Sequence, residues 1–253
     1  MHIIMLDDFP STPGKDRERL ILDIIESGPE RISYNWVPLK IEHKEHVGEF
    51  LVLADALKID GIRINVTAIT NQLIADRFVA MMLTAKLADH IWHQADIKIK
   101  PRPRPITASI KAMIEHSQDI DKQLVGSDCT NKIISTVGKY WILDSKLAKP
   151  KVPNQAINYG WHFSGSNYNG ISGNVNASLL KDPNNGMYYR VIQPASSHHN
   201  GIHSDYSQIC GLVARECTID GIRMDIEHVL KDPELSYIVS HTGVQPILRQ
   251  PGS

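Results

Sequence analysis

The segment KIKPRPRPIT carries prolines at 101, 103 and 105, interleaved with Arg102 and Arg104. A proline ring fixes φ and removes the backbone donor, so prolines at alternate positions exclude both a helix interior and a central strand. The run therefore predicts an extended connector. It divides the chain into residues 1–100, expected to be a mostly helical lobe with a short strand pair, and residues 101–253, expected to be β-rich with packed helices and to carry the functional site. The alternative is one continuous domain that the connector merely crosses.

Apolar spacing fills in the elements. DRERLILDIIES places its apolar residues at helical intervals and stops at Gly28-Pro29. ISYNWVPLKIEH alternates as a strand, and GEFLVLADAL follows as a second. From Thr67 to Asp96 the period turns helical, through TAITNQLIADRFVAMML and then TAKLADHIWHQAD, with Thr84 as N-cap of the second helix. A further helix is expected near 107–122. After it NKIISTVGKYWIL, QAINYGWHF and MYYRVIQP read as strands, SQICGLVARE as a helix, CTIDGIRMDI as a strand and IEHVLKDPELSYIVS as a proline-broken helix. The stretch from Ser164 to Asn176 and the segment KDPNNG read as loops. Strands and helices segregate without regular alternation, which predicts an α+β fold. IDGIR occurs at 59–63 and again at 219–223. The diverging flanks favour one tight Asp-Gly turn used twice over a duplicated half.

A formal net charge of -1 gives no overall attraction for nucleic acid or an anionic membrane, so neither is expected as a partner. Cys129, Cys210 and Cys217 are too few and too scattered for a disulfide scaffold, which fits a reducing compartment. MHIIMLDDFP lacks a basic leader and a cleavage site, and no stretch reaches the roughly 18–20 apolar residues of a membrane span. The expectation is synthesis in the cytoplasm, with lysis as the route outward. Oligomeric state is not legible.

Chemistry concentrates in SSHHNGIHSDYSQ, residues 196–208, read as a loop between a strand ending at Pro194 and a helix starting near Ser207. Imidazoles and a carboxylate are the usual donors to zinc. His199 and Asp205 could supply two ligands and His162, in NYGWHFSG, a third, leaving a position for water whose pKa the metal would lower. A metal-free acid–base group of the same residues is the alternative. In either case Tyr206 would polarise the scissile carbonyl or stabilise its oxyanion and His203 would shuttle protons, and Ser207 is the alternative nucleophile with His162 or His199 as its base. Lys139, following Gly138 in an apolar strand, needs solvent or a carboxylate, and Asp205 is the candidate partner. His90 and His93 could share a helix face, and Arg63 and Asp76 could pair.

SHHNGIHSD resembles the Ser-x-His and downstream Asp of zinc-dependent D-alanyl-D-alanine peptidases, with a shorter His-to-Asp interval and no matching general base. SDYSQICGLV resembles the nucleophile segment of NlpC-type cysteine peptidases, with Tyr206 where the family has its cysteine. YGWH, IQP, a His near 199 and DYSQ, together with VGK and DALKIDG, resemble a bacterial family of uncharacterised proteins over most of the chain. That resemblance implies that His162, His199, Asp205, Tyr206 and Ser207 form one constellation; Gln208 stands where a histidine is expected. No P-loop, G-x-S-x-G elbow or H-E-x-x-H occurs.

These readings converge on a hydrolase of peptide or amide bonds, with cell-wall material as a candidate substrate and zinc as a candidate cofactor. A glycoside hydrolase pairing Asp205 with Asp144, Asp182 or Glu216 is the second expectation, with the carboxylates about 5–10 Å apart. A non-catalytic glycan-binding or structural protein is the third, motivated by the aromatics Tyr159, Trp161, Phe163, Tyr168, Tyr188, Tyr189 and Tyr206.

Overall fold

The computed structural model describes residues 9–10, 14–105, 107, 109–164, 178–181 and 188–253. Helix α1 (Lys15–Ser27) ends at Gly28, whose N–H bonds the Ile24 carbonyl. Its Ile21, Ile24 and Ile25 pack with Ile74 and Ala75 of α2 (Ala68–Arg77) in one apolar cluster. Strands β2 (Trp36–His43) and β3 (His46–Leu53) form a hairpin in register from Trp36–Leu53 to His43–His46. Val37, Leu39 and Ile41 are buried while Pro38, Lys40 and Glu42 are exposed, the alternation of a sheet with one wet face.

Both IDGIR copies are tight turns. Asp60 and Gly61 (φ 49° and 78°) join β4 (Lys58–Ile59) to β5 (Ile62–Arg63), and β1 (Ile32–Ser33) completes that small sheet. Asp220 and Gly221 (φ 53° and 79°) join β15 (Glu216–Ile219) to β16 (Ile222–Asp225). Positive φ at both central residues is the type I′ geometry that matches strand twist.

The helical period from Thr67 breaks earlier than the sequence suggests. Val79 turns to φ 49°, and β6 (Ala80–Thr84) follows as a strand buried at every position. Thr84 then caps α3 (Ala85–Gln94), its Oγ1 accepting the Leu87 N–H at 3.2 Å. The segment 207–216 is also not helical: it forms β13 (Gln208–Ile209) and β14 (Leu212–Ala214). Residues 205–213 are all buried, and a run wetted on no side satisfies an interior strand as well as a helix. Pairing decides, because Gln208 and Ile209 lie beside Lys139 and Tyr140, and Leu212 to Ala214 beside Met82 to Ala80.

The remaining strands are β7 (Ile97–Lys98), β8 (Ile134–Ser135), β9 (Lys139–Leu143), β10 (Gln155–Phe163), β11 (Ser178–Lys181) and β12 (Tyr188–Asn200). The helices are completed by α4 (Ile110–Leu124), α5 (Ile226–Lys231) and α6 (Ser236–Val239). Among the described residues the main sheet runs β11-β12-β10-β9-β6-β14-β3-β15-β16, with β2 on β3 and β13 on β9. The fold is α+β. Strands from before and after the proline run alternate in the order β9-β6-β14-β3-β15, so Pro101 to Pro105 do not separate two independently built sheets. Among the described residues no helix is long and apolar enough to cross a membrane.

Candidate active site

β12 continues past Pro194 to Asn200, so the first part of SSHHNGIHSDYSQ is strand, with His199 opposite Ala156 of β10. The rings of His199 and His203 stack at 4.4 Å and 12° and meet the Trp141 ring edge-on at 5.9 and 6.5 Å. Burial, then the neighbouring His203 and Lys139 charges, pushes His199 down to about 4. Burial likewise lowers His203, so both imidazoles are neutral at pH 7.

Asp205 is buried and fully engaged. Its Oδ2 meets Lys139 Nζ at 2.7 Å, and its Oδ1 accepts Ser207 Oγ at 2.6 Å and Ser207 N at 2.9 Å. Burial alone would raise its pKa; the Lys139 charge and these hydrogen bonds outweigh it and hold the group below the usual carboxylate range. The Lys139–Asp205 pairing expected from the apolar strand is present. Ser207 donates to a carboxylate rather than to an imidazole and is itself wholly buried. The Tyr206 hydroxyl binds the Arg104 backbone at both N–H and carbonyl, and its ring meets His116 at 5.2 Å.

His162 is placed elsewhere. Its Nε2 lies 2.7 Å from Asp89 Oδ1, and its ring runs nearly parallel to Trp92 (5.9 Å, 21°) and Tyr189 (5.8 Å, 21°), which meet each other at 5.3 Å. Donor atoms of His162, His199 and Asp205 do not form a group within 4.8 Å of one another, so the structure does not assemble them as a three-ligand metal site. It joins Asp205 to Ser207 and His199 to His203, and gives His162 different partners. The expected Arg63–Asp76 pair is also not formed. Arg63 bridges Asp55 and Asp121, Asp76 pairs with Arg249, Asp144 caps the turn at Ser145–Ala148, and Glu216 pairs with Arg223. Tyr168 and Asp182 lie outside the described residues.

The partners of His162 make a more concentrated arrangement. Asp89 Oδ1 accepts both Tyr159 Oη at 2.6 Å and His162 Nε2 at 2.7 Å, while Oδ2 faces His241 Nε2 at 2.6 Å. Tyr159 and His162 stand three positions apart on β10, where strict alternation would send them to opposite faces. β10 is irregular between them: its register shifts at Asn158/Gly160, and Gly160 and Trp161 have φ of 144° and 58°. This kink at Gly160 and Trp161 turns both side chains to α3 and sends Trp161 toward Tyr206, His116 and Lys139. A positive φ at a bulky residue is strained, and such strain is found disproportionately at functional sites.

Burial by itself would raise the Asp89 pKa, but the hydrogen bonds from His162 and His241 and their charges win and drive it far below the usual carboxylate range. The Tyr159 phenol is pushed far upward by burial and by Asp89, and stays protonated as a donor. A carboxylate only accepts, so each histidine presents N–H at Nε2. His162 is enclosed, whereas the His241 side chain is 44 % exposed, and in its neutral form the His241 ring leaves its lone pair on Nδ1. Chemically this is a surface imidazole whose tautomer and orientation are fixed by an ionised buried acid, the arrangement of a general base.

Comparison with known protein families, with characterised proteins and with solved structures finds no match for this chain. The functional reading therefore rests on the geometry of the site and, for the class of substrate, on the sequence resemblances.

Sequence reasoning passed over Asp89 and His241 and read Tyr159 only as a ligand-stacking aromatic. A signal for Asp89 was available. Ala85, Ala88, Asp89 and Trp92 share one face of α3, which puts a charged residue on an apolar stripe. His241 has no comparable local mark, since only the packing of its loop brings it to Asp89.

Proposed function

We propose that this protein is a hydrolase of peptide or amide bonds whose acid–base residue is His241, oriented by Asp89. The supporting observation is the buried Asp89 carboxylate bound by two imidazoles, one of them open to solvent. In this reading His241 Nδ1 takes a proton from water as its oxygen attacks the amide carbonyl. The imidazolium, stabilised by Asp89, then returns that proton to the leaving nitrogen as the C–N bond breaks. His162 and Tyr159 are positioning residues that keep Asp89 ionised and fixed. The amide class of substrate follows from the resemblances of SHHNGIHSD and SDYSQICGLV to peptidases, and cell-wall peptides are the first substrates to try.

The test is amide hydrolysis by wild type, His241→Ala and Asp89→Asn on peptidoglycan-derived peptides. His241 is at the surface, so its replacement leaves the fold intact. Turnover should fall by about 10²–10⁴-fold in His241→Ala. Equal turnover in wild type and His241→Ala, or sugar release in place of amide cleavage, overturns the reading.

A further inference from the structure

Away from that site, two turns bring a histidine and several carboxylates together. The β2–β3 turn carries Glu45, His46 opens β3, and the turn between α5 and α6 carries Glu234. One donor atom from each of Glu45, His46 and Glu234 lies within 4.8 Å of the others. His46 Nδ1 meets Asp220 Oδ2 at 2.7 Å, and Asp220 Oδ1 accepts the Val47 N–H at 2.8 Å. Asp220 is thus pinned at the tip of the neighbouring hairpin, and its own N–H bonds the Val47 carbonyl at 2.8 Å.

With Nδ1 facing an acceptor, the neutral imidazole leaves its lone pair on Nε2. That atom is shielded from solvent and has no hydrogen-bond partner among the described residues. Glu45 and Glu234 are exposed, and among the described residues neither forms an ion pair. A shielded imidazole nitrogen beside two carboxylates that form no ion pair calls for a proton or a metal cation between them.

We propose that Glu45, His46 Nε2 and Glu234 form a binding site for a zinc-class divalent cation, with Asp220 orienting the imidazole. The mixed nitrogen and oxygen donor set suits zinc, whereas calcium takes an all-oxygen shell. The two ligating carboxylates match the charge of a divalent ion, and Asp220 adds one further negative charge behind the imidazole. A carboxylate on the far nitrogen of a ligating histidine is the usual support for such a ligand. Donors around tetrahedral zinc stand roughly 3.4 Å apart, and the exposed, flexible Glu45 and Glu234 side chains can close that far. The Glu234 backbone is already set, because Asp232 Oδ1 accepts the N–H groups of Glu234 and Leu235 at 2.8 and 2.9 Å. The bound ion would clip the β2–β3 hairpin to the α5–α6 turn and leave one coordination position for water.

The experiment is calorimetric titration of zinc into the chelator-treated full chain, with Glu234→Gln, Asp220→Asn and the His199→Ala/His203→Ala double variant beside it. Wild type should bind one ion. Glu234→Gln, an exposed change that leaves the fold alone, should weaken binding at least tenfold. Asp220→Asn, tolerated at positive φ, should weaken it by about 10–100-fold. The double histidine variant should bind as wild type does. No zinc uptake by wild type, or affinity unchanged in Glu234→Gln, overturns the proposal; the second outcome together with loss in the double variant would move the ion to the His199–His203 stack.

Discussion

Lys139 and Asp205 lie 2.7 Å apart with side chains 9 % and 7 % exposed, and both oxygens of the acid are occupied. A buried pair of this kind adds little net stability over an apolar replacement, yet removing one partner strands the other charge. Lys139→Ala should therefore destabilise the protein by about 3–5 kcal/mol, measured by urea unfolding; a loss under about 1 kcal/mol would show that solvent reaches Asp205. This pair was legible in the sequence, since a lysine in an apolar strand has few ways to be satisfied. The Asp89 array was less so. Its carboxylate could be suspected from the helix stripe, but nothing near Asp89 in sequence announces His162 or His241, which lie 73 and 152 residues away.

At the level of elements, the most instructive segment is 207–216. Its composition suits a helix, and its place in the sheet makes it two short strands. Gly211 lies against the Tyr140 ring, where an added Cβ would overlap the ring carbons and approach Leu83. In a helix Gly→Ala would stabilise by about 1 kcal/mol. Here the sign reverses: Gly211→Ala should destabilise by about 1–3 kcal/mol, as over-packing does, and a gain in the urea midpoint would contradict the strand assignment. The β10 kink at Gly160 and Trp161 belongs to this scale as well. By abandoning alternation at Gly160 and Trp161, one strand delivers Tyr159 and His162 to α3 and Trp161 to the region of Lys139 and Tyr206. A period-2 reading of QAINYGWHF finds the strand and misassigns which residues share a face.

For the whole molecule, several histidines are neutral because they are buried. Burial, with the neighbouring Lys86 charge, pushes His90 down to about 4; burial, with Arg63 and Arg104, does the same to His116. Free imidazoles in the unfolded chain titrate near 6.5, so between about 6.5 and 4 the unfolded state binds more protons than the folded one. Stability is full above about pH 6.5 and falls as pH drops toward 4, with each such group adding at most about 1.4 kcal/mol per pH unit. The depressed carboxylates Asp89 and Asp205 extend the loss below the carboxylate value of 3.8, as the unfolded chain then takes up protons they refuse. Urea midpoints at pH 7.5, 5.5 and 4.5 should decline steadily, and less steeply in His116→Gln. A flat profile from 7.5 to 4.5 would mean that these imidazoles are hydrated in the folded state.

By itself the sequence determined what short-range physics controls. Apolar spacing set α1 and the β2–β3 hairpin, Thr84 set the start of α3, Asp-Gly set two type I′ turns, and the mixture set the α+β class. Only the tertiary structure decided that strands from both sides of Pro101 to Pro105 interleave in one sheet, that His162 answers to Asp89 rather than to His199, and that His241 completes the array. Local propensity depends on neighbours a few residues apart, which a sequence displays. Strand order, the kink in β10 and the meeting of distant imidazoles at one carboxylate depend on which surfaces bury each other, and that is settled by the packing of the whole chain.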